Sequence, residues 1–77
     1  MTTDAQVADA TIGRCVRIAR EWAGMTQADL AGRLGWARTT VAAVEAGRRA
    51  VLARELVLLA RTLGASVREL LGETQPR

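Results

Sequence analysis

Arginine supplies most of the chemistry this chain can offer. From Trp36 to Arg54 the sequence carries Arg38, Arg48, Arg49 and Arg54 against Glu45 alone, so one short segment accounts for the whole formal net charge of +3. A guanidinium is a permanent planar cation with paired N–H donors, suited to phosphate oxygens or to two adjacent acceptors on one edge of a ring. Thr39 and Thr40 add hydroxyl groups beside Arg38, and Ala42 and Ala43 add methyl groups. Catalytic chemistry has no comparable support. The chain has no His, its single Cys15 has no evident base beside it, and no acidic or thiol cluster has the spacing of a metal site. Neither an enzyme nor a bound metal or cofactor is expected.

The elements that must position these groups are helical. Ala, Leu and Val supply most of the 49% hydrophobic content, with two Trp and no Phe or Tyr, a composition that favours packed helices over a sheet. Residues 1–8 have no strong period and are expected to form a loose arm before a single domain over 9–72, with 73–77 as a short tail. Ile12, Val16, Ala19 and Ala23 fall at spacings of four, three and four, which predicts a first helix from about Thr11 to Gly24. Thr26 with Asp29 resembles a capping box and opens a second helix that buries Leu30, Ala31 and Leu34 and stops at Gly35. A third runs from about Ala37 to Ala46, with Val41 and Val44 inward. Leu56, Leu59, Ala60 and Leu63 mark a fourth that ends at Gly64. Ser66 and Glu69 form a full capping box for a short fifth helix holding Val67, Leu70 and Leu71. Elements this short are marginal alone and must pack on one another.

Between Gln27 and Glu45 the residues meet several independent packing demands. Ala31 is small where two helices must approach closely, Gly35 supplies the turn, and Leu30, Leu34, Trp36, Val41 and Val44 occupy inward positions. Arg38, Thr39, Ala42 and Ala43 are left facing outward. An apolar stripe alone is weak evidence, but the small residue, the turn glycine and the flanking hydrophobes together specify a helix-turn-helix.

The stretch Met25-Thr-Gln-Ala-Asp-Leu-Ala-Gly-Arg-Leu-Gly35, followed by Val44-Glu-Ala-Gly-Arg48, resembles the phage-repressor and Cro type (XRE-like) of helix-turn-helix DNA-binding family, a likeness that extends from about Ile12 to Leu71. The resemblance implies a compact, all-α, five-helix domain of lambda-repressor type whose third helix enters the major groove. It also implies that Gln27 contacts a phosphate and that Arg20 and Glu45 form a structural ion pair. On that footing Arg38, near the start of the recognition helix, is the first candidate to fork onto guanine O6 and N7, with Thr39, Ala42 and Ala43 as further base contacts. Gln27, Thr40, Arg48 and Arg49 are the candidate phosphate contacts. The sequence departs from the pattern where Ala37 replaces a capping Ser or Thr and where Val51-Leu52 replaces a common Pro-Ser. Leu52, Leu58 and Leu71 at outward positions suggest a homodimer surface, and Ile18 with Trp22 a surface for the same or another protein partner.

These features give the expectation of a sequence-specific regulator of transcription that binds double-stranded DNA as a dimer on a two-half-site operator. The alternative is an antitoxin or similar module that neutralises a partner protein and regulates its own promoter. A lone cysteine, the absence of a signal-like N-terminal pattern and a longest apolar stretch of only Leu56 to Ala60 suit a cytoplasmic address and no membrane.

Overall fold

The computed structural model describes residues 8–74, which form five α-helices in the order α1 (Asp9–Trp22), α2 (Gln27–Leu34), α3 (Arg38–Glu45), α4 (Ala53–Leu63) and α5 (Val67–Leu70). No strand occurs among the described residues. Apart from Ala8, the expected arm lies outside them, as do residues 75–77 of the expected tail.

Local chemistry fixes most helix ends. Thr26 Oγ1 accepts from the Asp29 amide while the Asp29 carboxylate accepts from the Thr26 amide, so α2 opens on a complete capping box. Ser66 and Glu69 make the same reciprocal pair for α5. At α4 only half of this device is possible, because Leu52 has no side-chain acceptor. Glu55 Oε1 still takes the Leu52 amide at 2.9 Å. Gly35, at φ 72°, lets α2 turn sharply towards α3. The first helix differs from expectation by a shift of two residues towards the N-terminus. It begins at Asp9, because the Ala8 carbonyl already accepts from Thr11 and Ile12, and at its far end Ala23 is an exposed cap residue rather than part of the buried stripe.

The buried faces of all five helices meet in one core built from Ile12, Val16, Leu30, Ala31, Val41, Val44, Leu59, Ala60, Leu63 and Leu70. Leu34 and Trp36 pack against it while remaining half-exposed. α1 packs against α3 with its backbone at Gly13 directly on the end of that helix. Gly13 makes this possible, since a Cβ there would meet the backbone carbonyls of Val44 and Glu45. Leu71, expected at an outward position, is half-buried, because the single turn of α5 sits between α1 and α4 and turns its end towards the core as well.

Two depressed carboxylates give the fold an acid limit. The Arg49 guanidinium and the Leu52 amide hold Glu55 below its ordinary carboxylate range, and the Thr26 cap does the same for Asp29. The unfolded chain binds protons first, so the stability these groups contribute is complete above about pH 4.3 and is lost as pH falls through their folded values. Thermal melts between pH 6 and pH 3 should show this decline, and Glu55→Gln should make it shallower. An equally steep decline in that variant would place the acid sensitivity elsewhere.

Candidate DNA-binding surface

The candidate surface is organised from the inside outwards. Glu45, at the end of α3, receives Arg20 from α1 through two bonds, Nε to Oε2 at 2.6 Å and a second guanidinium nitrogen to Oε1 at 3.0 Å. The side chains retain only 11% and 4% of their exposure, so this is a buried pair, and Arg20 also donates to the Met25 carbonyl at 2.8 Å. Donating to the Glu45 carboxylate raises the Arg20 pKa further, keeping it charged at any accessible pH. The expected partners are therefore brought together.

Gln27, the first residue of α2, extends the network. Its Nε2 donates to Glu45 Oε1 at 3.1 Å, and its Oε1 accepts from Arg38 at 3.2 Å. The amide is thereby oriented, with its carbonyl towards α3. Arg38 is exposed at the first position of that helix and uses one of its five N–H donors internally, leaving enough to fork onto two acceptors. Thr39 is exposed beside it. Ala42 and Ala43 are half-exposed along the same helix, Thr40 is half-buried, and the exposed Ala46 continues the line of small residues.

The two arginines after α3 have different environments. Arg48 is exposed, and among the described residues no partner is assigned to its guanidinium. Arg49 instead makes a two-pronged ion pair with Glu55, at 3.1 and 2.9 Å, donates to the Ala50 carbonyl and lies over the Trp36 ring at 5.2 Å from its centroid. The sequence treated these residues alike because nothing local distinguishes them. Glu55 is six residues away, and its pairing emerges only when α4 folds back towards the turn.

A helix-turn-helix family model matches residues 16–70, more than two thirds of the chain, and spans α2, the turn and α3. The chain belongs to the XRE-like helix-turn-helix family. Its fold is similar to that of the restriction-modification controller protein C.AhdI from Aeromonas hydrophila, with a TM-score of 0.74 and 34% identity over 80% of this chain and 94% of that one. It is also similar to a hypothetical transcription factor, NHTF, from Neisseria, with a TM-score of 0.78 and 31% identity over 92% and 82% of the respective chains. A search of curated proteins gives no significant match. As a member of this helix-turn-helix family the chain is a DNA-binding regulator of transcription.

The remaining expected residues form no part of that surface. Leu52 and Leu58 are exposed, as is Val57, which sequence reasoning missed. Trp22 is 69% exposed beside a shallow hollow lined by Ala19, Ala23, Leu63 and Ala65, while Ile18 is half-buried. Among the described residues no helix is long and apolar enough to cross a membrane, and no group of three potential ligands for a metal occurs.

Proposed function

We propose that the chain reads a specific operator, with α3 in the major groove and two copies bound to two half-sites about one DNA turn apart. The observation that carries this reading is Arg38: it stands exposed at the start of α3, its guanidinium steered by Gln27, in line with Thr39, Ala42 and Ala43. In this role Arg38 reads a guanine through O6 and N7, Thr39 reaches a neighbouring base, and the two alanines permit close approach or meet a thymine methyl. Gln27, Thr40 and Arg48 sit where phosphate oxygens flank the groove and set affinity rather than sequence. Dimerisation follows from size, since one module of this kind buries too little DNA for tight specific binding, and exposed Leu52, Val57 and Leu58 offer apolar surface for it.

Selection from random duplexes, repeated with two variants, tests this assignment. Arg38→Ala should relax preference at one position per half-site, a loss of about 1–3 kcal/mol of discrimination. Arg48→Ala should weaken all sequences alike and reduce the slope of log K against log salt by about 0.9. An unchanged sequence preference in Arg38→Ala would remove it from base reading. Exposed Trp22 favours a second reading, in which a partner protein docks on α1 and the chain acts as an antitoxin that also regulates its promoter.

A further inference from the structure

We infer that Trp36, Arg49 and Glu55 form a rivet whose work in DNA binding is to hold the α3–α4 loop so that Arg48 meets a phosphate, and that Arg49 does not contact DNA itself. The inference rests on the DNA-binding reading above and concerns which arginine makes the contact and how it is placed.

Loop residues 46–52 connect the recognition helix to α4, and Arg48 is their exposed cation. The near side of the loop is anchored to α3, where the Arg48 amide donates to the Ala43 carbonyl at 2.9 Å. The far side is anchored by Arg49. Its guanidinium joins the Glu55 carboxylate on α4, the loop's own Ala50 carbonyl and the Trp36 ring in the turn between α2 and α3. Glu55 also takes the Leu52 amide, so one carboxylate gathers both Arg49 and the loop's last backbone N–H. The raised pKa of Arg49 and the lowered pKa of Glu55 agree with a tight pair.

Two consequences separate a fastening role from a phosphate contact. First, the charge of Arg49 is met within 3 Å by Glu55, so a phosphate approaching it gains little that the carboxylate has not already taken. Second, fixing the loop in advance spares an ordering cost on binding. For one long side chain that cost is worth roughly a 2- to 12-fold change in affinity.

Opposite signs make the test decisive. Removing a carboxylate from a DNA-binding protein ordinarily strengthens binding, and if Arg49 were a withheld phosphate contact, Glu55→Gln would free it, tighten binding and steepen the salt slope. The rivet requires the reverse. At about 0.15 M salt, where the general charge effect is screened beyond about 8 Å, Glu55→Gln should bind operator DNA roughly 2- to 12-fold more weakly. Trp36→Leu, which changes no charge, should do the same. Neither variant should weaken binding further when Arg48 is already Ala, since both act through Arg48. Circular dichroism melts establish that each variant is folded at the assay temperature. Tighter binding by Glu55→Gln, or losses that simply add to that of Arg48→Ala, overturns the inference while leaving DNA binding intact. If the unmodified chain fails to bind any duplex at low salt, the underlying reading falls as well.

Discussion

Arg20→Ala should cost about 3–5 kcal/mol of folding stability, the range expected when one partner of a buried ion pair is removed. The variant leaves the Glu45 carboxylate, only 4% exposed, with Gln27 as its remaining side-chain donor. Glu45→Ala should be comparably harmful, because the Arg20 guanidinium then keeps only the Met25 carbonyl. A domain of this kind is stabilised by only about 5–15 kcal/mol in total, so either change consumes a large part of it. Urea denaturation gives the measurement: the midpoint should fall with little change in m. Replacing both partners together with Met and Leu should recover much of the loss, since the desolvation of both charges disappears with them. A loss below about 1 kcal/mol in the single variants would show instead that the pair behaves as an exposed salt bridge.

Gly13→Ala should cost about 3 kcal/mol, at the upper end of the usual range for overpacking. On propensity alone the change should help, because Ala is favoured over Gly inside a helix by about 0.8–1 kcal/mol. Here the added methyl would stand against the Val44 carbonyl and 2.8 Å from the Glu45 carbonyl, and these are backbone atoms that cannot rotate aside. α1 and α3 must separate, and with them Arg20 from Glu45. Gly32 provides the control, since a Cβ there meets nothing within 4 Å and Gly32→Ala should stabilise α2 by the full propensity difference. Equal effects at the two positions, read by thermal melts, would mean that the close approach of α1 to α3 is absent in solution.

The contrast between these two glycines illustrates what could be read in advance. Capping boxes, the turn at Gly35 and the stripes of α3 and α4 were legible because their physics acts over three or four residues of chain. Arg38, Thr39, Ala42 and Ala43 could be placed outward for the same reason, once Val41 and Val44 were assigned inward. The ends of α1 were less certain, as nothing in the Ala8 side chain announces a cap. The role of Gly13 was not legible, because the backbone it makes room for belongs to the distant end of α3. The surroundings of Arg49 and Leu71 were not legible, because their partners are chosen by tertiary packing. Glu55 is opposite Arg49, and α5 is seated between α1 and α4, only after the chain has folded.

α3 divides its labour by face. Val41, Val44 and Glu45 point inward and are constrained by every neighbour they touch, whereas Thr39 and Ala46 are exposed and Ala42 and Ala43 half so. A gene encoding such a helix is free to drift on one side while selection holds the other still. On the operator-reading role proposed above, its descendants can acquire new addresses on a genome by changing a few codons without first solving the folding problem again, provided any new residue at position 38 still accommodates Gln27.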